Sequence, residues 1–307
     1  MKKSITALIS ILFHGVIIAQ QMPVSENYFM DKYALSSSYA GHFNAGSLFT
    51  SFRSDWTGIV GGPKTLRLSY GDMLMTNAAW GGKIIYDKAG IFDQLYVMGT
   101  YSYSLRIVDE HKILLALSAG IYHNKINFTD YYNNPNYNID PVMIQQDVSS
   151  KLKFMSDFSA LYLFKGVEAG IMFANINFGD AKYNEVDVTY KPLANYQLHA
   201  AYSFRINDRW NINPLVYIRG GRFISSQVGI ASMVKYQNNI WGSLSFRDPG
   251  IWGFGFGANI AKGIRFSYNF NFASSVALNI YNNHEIAIGV NIKDLVKKIQ
   301  LSEPVQY

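Results

Sequence analysis

The chain has 307 residues, of which 16% are charged and 15% aromatic, with a net charge of +6 and no cysteine. Soluble domains carry about a quarter charged residues, so this composition points away from an ordinary water-facing surface. The absence of thiols excludes disulfides and thiolate metal sites, and basic residues never run longer than two, which leaves no patch for nucleic acid.

In chain order, Lys2 and Lys3 precede an apolar run from Ile5 to Ile18, and Ala19-Gln20 offers a small residue for cleavage. This is the layout of a secretory signal peptide over residues 1–19, too short for a spanning helix. Residues 20–44 are mixed and follow no period, so they are expected in the periplasm or folded into a lumen.

From residue 45 to 292 the pattern changes to repeated apolar/polar alternation. The clearest run sets Tyr196, Leu198, Ala200, Tyr202, Phe204 and Ile206 on one face, against Gln197, His199, Ala201, Ser203 and Arg205 on the other. Successive strand side chains point to opposite faces, so one face is apolar and the other wet. Repeated in segments of about ten residues, this predicts an all-β fold, a transmembrane outer-membrane β-barrel with lipid outside and a polar lumen.

About fourteen antiparallel strands are expected. Their centres fall near Leu48, Leu68, Ile84, Gly99, Leu117, Ala160, Ile171, Ala200, Val216, Ile230, Leu244, Gly255, Tyr268 and Ile288. An even count brings the last strand back beside the first and leaves no edge. Gly253, Gly255 and Gly257 alternate on one face, which permits curvature or close approach of something inside, while Trp252, Phe254 and Phe256 face lipid.

The connections alternate in length. Val108–Glu110, Lys165-Gly166, Asn207-Asp208, Gln237–Asn239 and Ala261–Gly263 are tight, whereas Ser54–Gly62, Ile126–Ser150, Gly179–Leu193 and Ser274–Asn283 are long. Bacterial barrels place short turns in the periplasm and long loops outside, so both termini are expected to be periplasmic. The loop from Ile126 to Ser150 holds Tyr131, Tyr132, Asn134 and Pro135, candidate contacts of an outer docking loop. The tail, residues 293–307, carries Leu295, Val296 and Ile299 among lysines, candidate contacts for a periplasmic partner.

Chemistry-bearing clusters are not visible. His42, His111, His123, His199 and His284 are dispersed, without a serine nucleophile motif nearby, and the loop carboxylates lack calcium-loop spacing. No catalytic residue, cofactor or metal is therefore expected.

One string is more specific: Arg53-Ser-Asp-Trp56-Thr-Gly58-Ile-Val-Gly61-Gly-Pro63. It follows Ser38-Tyr39-Ala40-Gly41 and precedes Asp87-Lys88-x-Gly90, Tyr101-x-Tyr103 and Leu117-Ser118-x-Gly120. In that order the chain resembles the PorP/SprF family of outer-membrane proteins in the type IX secretion and gliding machinery of Bacteroidota, over Tyr28 to Ile292. One departure is Ser36-Ser37 where the family usually has Asn-Pro.

The resemblance implies a non-enzymatic barrel supporting export or surface anchoring of large adhesins, whose C-terminal domains carry the secretion signal. It also implies periplasmic machinery and a peptidoglycan-binding protein as partners. Arg53, Trp56, Gly58, Gly61 and Pro63 would then shape the first outer loop and are candidate partner contacts. The competing expectation is a porin or gated transporter for small solutes, anionic or hydrophobic.

Overall fold

The computed structural model describes residues 25–43, 45–128, 147–177, 181–182, 189–190, 195–221, 224–274 and 282–295. Fourteen strands form its wall. They are β1 (Ser47–Asp55), β2 (Lys64–Met75), β3 (Ala78–Ala89), β4 (Phe92–Val108), β5 (His111–Ile126), β6 (Lys153–Phe164) and β7 (Val167–Asn177). The second half comprises β8 (Asn195–Tyr202), β9 (Trp210–Gly221), β10 (Ile224–Tyr236), β11 (Ile240–Arg247), β12 (Ile251–Ala261), β13 (Ile264–Ala273) and β14 (Asn282–Asn291). Each expected centre lies inside a strand.

Every neighbouring pair is antiparallel, and β14 returns to β1, in register from Ser47↔Asn291 to Asp55↔Asn283. The barrel is therefore closed. No edge is left to satisfy, which a strand protein in lipid requires. Its two ends differ: one carries the longer connections, such as 56–63 and 127–152, and the other carries tight turns and the chain leading into β1. These are called the loop side and the turn side below.

The alternation has direct structural consequences. Leu117, Leu244 and Phe256 are more than half exposed and point outward, while Ser118 and Ser159 are fully buried on the inner face. Outward rings at the turn side include Trp80, Tyr101, Phe204 and Trp210, a position where an aromatic ring can face headgroups. The space over Gly253 and Gly255 is taken by Asn271 and Asn269 of β13 and by Ser245 and Ser243 of β11, so the missing Cβ atoms make room for neighbouring polar side chains.

Residues 25–43 are almost entirely buried, yet they belong to no strand. They fold as an irregular segment with two 3₁₀ turns, Lys32–Ala34 and Ser37–Tyr39, the first capped by Asp31, whose carboxylate accepts from the Tyr33 N–H at 3.0 Å. The segment lies inside the barrel and leaves it where Gly41, at φ +70°, presses on the Asp72 carbonyl and on Gly71. A side chain at Gly41 would collide with that backbone, and its positive φ also disfavours one.

Candidate functional site: the filled lumen and the first loop

The lumen is lined by short polar side chains, and the segment matches them one by one. From the loop side downward, Asn27 Oδ1 accepts from Asn269 Nδ2 at 2.7 Å and from Ser267 Oγ. Asp31 Oδ2 accepts from Ser69 Oγ at 2.6 Å, and the Tyr33 hydroxyl meets Thr100 Oγ1 at 2.6 Å. Ser38 Oγ donates to Ser159 Oγ at 2.8 Å, and Gln197 Nε2 donates to the Leu35 carbonyl at 2.6 Å. These partners come from β2, β4, β6, β8 and β13, so the segment is held from around the ring. An apolar cluster of Tyr28, Leu35 and Tyr39 with Leu114, Leu161, Leu215 and Tyr217 fills one side of the same space.

Ion pairs fix both ends. At the loop side, Glu26 is buried and paired with Arg247 of β11, and Arg53 Nη1 of β1 stands 3.7 Å from the same oxygen. Burial pushes the Glu26 carboxyl up, but Arg247, Arg53 and Arg219 together outweigh it, and its pKa falls below the ordinary carboxylate value. Ser25 Oγ and the Glu26 N–H both donate to Glu285 of β14, at 2.6 and 2.7 Å. In mid-barrel, Asp157 of β6 is fully buried and accepts from Lys83 Nζ at 2.8 Å and from the Asn175 N–H at 2.9 Å.

At the turn side Lys32 pairs with Glu168 of β7, and the Tyr39 hydroxyl donates to the other Glu168 oxygen at 2.7 Å. With its proton committed there, Tyr39 can only accept from His199 Nε2, 3.0 Å away. This places a proton on His199 Nε2. The group resembles a catalytic triad in residue type alone: the serine or cysteine nucleophile of such triads is not among its members, and every member anchors the segment.

The first loop, 56–63, caps the loop-side rim. Trp56, Gly58 and Gly61 all take positive φ, at 51°, 96° and 80°, so the chain reverses tightly. The Asp55 N–H donates to the Pro63 carbonyl at 2.9 Å, and the Trp56 and Thr57 N–H groups donate to the Asn282 backbone and side-chain oxygens at 2.8 and 2.7 Å. The Gly90 N–H donates to the Gly61 carbonyl at 2.9 Å, joining two pieces of the sequence string. This scaffold holds out an apolar tip: Val60 is 86% exposed, and Trp56 and Ile59 are over 40% exposed.

The predicted site residues thus divide. Trp56, Gly58, Gly61 and Pro63 build the loop together. Arg53 does not join them; its guanidinium turns into the lumen, gripping Asp55 at 2.9 Å and facing Glu26. Tyr131, Tyr132, Asn134 and Pro135 lie outside the described residues, as do Val296 and Ile299. Leu295 is half-buried at the end of a helical turn over 292–295, which the Asn291 side chain caps by accepting from the Asp294 N–H.

The family pattern for the type IX secretion system membrane protein PorP/SprF matches residues 17–290. The chain belongs to the PorP/SprF family. It is an outer-membrane protein that crosses the membrane with its strands. No curated protein sequence matches it. Solved structures with a similar fold include the Acinetobacter baumannii outer membrane protein Omp33, at 9% identity and a TM-score of 0.48, covering 80% of this chain and 97% of that one. The CymD monoaromatic hydrocarbon channel has 12% identity and a TM-score of 0.47, covering 88% and 92%. The Pseudomonas putida toluene transporter TodX has 10% identity and a TM-score of 0.42, covering 80% and 88%.

Within this PorP/SprF chain, the residues that sequence reasoning missed are those joining segment to wall: Glu26, Asp31, Tyr33, Arg247 and Glu285. One signal was available. The Ser36–Gly41 string, noted only for its resemblance, is the most deeply buried stretch of the segment, with Ser37, Ser38 and Ala40 at 0% exposure.

Proposed function

We propose that this barrel serves type IX secretion by holding a large exported surface protein at the cell surface rather than by passing solutes. Family membership supports the secretion role. The observation that carries the choice against a porin is the lumen: the chain's own residues 25–43 fill it, ion-paired to the wall through Glu26 and Lys32. A general pore needs a continuous aqueous path, which the packed segment interrupts.

In this reading the loop side faces outward, as the asymmetry of connection lengths suggests. The apolar tip of Trp56, Ile59 and Val60 then stands where an exported domain would arrive, and large exposed apolar groups clear of the lipid band are suited to a protein contact. The turn side, with the helical turn at 292–295, faces periplasmic machinery and a peptidoglycan-binding partner. The barrel does no covalent chemistry; it transmits position and force between the two sides.

The test is deletion of the gene followed by complementation. Loss of one or more very large proteins from the cell surface, restored by the wild-type chain but not by one carrying Trp56→Ser and Val60→Ser, is expected. Normal surface display in the deletion strain, with a defect in small-solute uptake instead, would favour the porin.

A further inference from the structure

Ser25 and Glu26 are gripped by two opposite devices within a single residue's length. The Glu26 side-chain carboxylate faces guanidinium groups, Arg247 in direct contact and Arg53 at 3.7 Å. The Glu26 backbone N–H and the Ser25 hydroxyl face a carboxylate, Glu285, which is 1% exposed. A small free anion would satisfy the arginines but be repelled by Glu285, and a free cation would suffer the reverse. An acidic residue within a peptide presents both charges and dipoles at the required places, because its N–H and its carboxylate belong to the same residue.

All three gripping side chains stand on the wall, in β1, β11 and β14, so they stay in place whether or not the segment is docked. The next residue is read as well: Asn27 takes the Ser267 hydroxyl and the Asn269 amide of β13. The wall therefore holds a bent hydroxyl–acid–amide tripeptide, in which the Asn27 N–H donates back to Ser25 Oγ at 3.1 Å.

We propose that the loop-side third of the lumen is a recognition site for an acidic residue at a bend in a peptide, and that Ser25–Glu26 is its built-in occupant. A partner segment of the same chemistry arriving from the loop side exchanges with it. The inference needs only the lumen described above and stands apart from the choice of exported client.

The experiment uses full-length protein purified in detergent, wild type and Glu26→Ala, with a capped fluorescent peptide Val-Ser-Glu-Asn-Tyr-Phe as probe. Fluorescence anisotropy should show the peptide binding the E26A protein at least about tenfold more tightly than wild type. Replacing the peptide's Glu by Gln, or adding Arg247→Met to the protein, should each cost about tenfold or more. Sodium glutarate should not displace the peptide.

Equal binding of the Gln peptide, displacement by glutarate, or no binding to a folded E26A barrel would each overturn the proposal. A second measurement avoids altering the carboxylate. Because the chain has no cysteine, Ser25→Cys can be labelled with a maleimide, and the acidic peptide should accelerate labelling at least about fivefold by displacing the segment. Unchanged labelling would overturn the exchange.

Discussion

Glu26 and Arg247 form a buried ion pair across 221 residues of sequence, joining the start of the lumenal segment to the last residue of β11. Breaking a buried pair from one side leaves an uncompensated charge, which costs about 3–5 kcal/mol. Arg53 remains near Glu26 in the variant, so Arg247→Met should weaken docking by the lower figure, about 3 kcal/mol. Hydrogen exchange at the Met30, Asp31 and Ala34 amides should then rise about a hundredfold, while β4 and β5 stay protected. Unchanged exchange would show that the pair does not hold the segment.

Removing the occupant should open the barrel. Deletion of residues 25–40 takes away no strand and no inter-strand hydrogen bond, so the fourteen-stranded wall is expected to insert as before. In planar bilayers the wild type should be closed, and the deletion variant should carry a steady ion current. A wild type that conducts as well as the deletion would mean the segment is not a barrier.

Acid should release part of the grip at Glu26. Its docked pKa lies below the ordinary value of 4.5, so its contribution is complete above that value and is lost as pH falls through the docked pKa. Docking in the wild type should therefore show an acid-linked loss below about pH 4.5 that Glu26→Gln lacks. Asp31, raised by burial, is present in both proteins and cancels in the comparison. Exchange of the segment amides measured against pH in the two proteins gives the difference directly.

Lipid-facing and loop positions should respond oppositely to charge. Leu244 is 57% exposed in the middle of β11, and Arg there should cost about 2–4 kcal/mol of barrel stability if it lies near the midplane. Val60, although more exposed at 86%, lies on the first loop, so Val60→Arg should leave the barrel's heat-modifiable gel shift unchanged while reducing surface display. Equal destabilisation by both would place the first loop within the membrane.

The wall was legible in the sequence because a barrel strand has one rule, a period of two, and every strand obeys it over eight residues or more. Leu117 against Ser118, or Phe254 against Gly255, can be sorted by type alone. The lumenal segment obeys no period. Its fit rests on individual matches such as Asp31 to Ser69 and Tyr33 to Thr100, between residues 38 and 67 positions apart, and no local pattern announces such pairs. Arg53 illustrates the difference. Its place in a string suggested a loop role, but its parity within β1 puts it on the face of Ser51, inside.

The most direct measurement of the secretion-anchor reading is a mild-detergent pull-down of the tagged full-length protein from native membranes, with mass spectrometry of what stays bound. Recovery of a very large surface protein carrying a C-terminal secretion domain, together with a peptidoglycan-binding protein, is the predicted result. A barrel recovered alone, which also conducts ions in a bilayer, would contradict it.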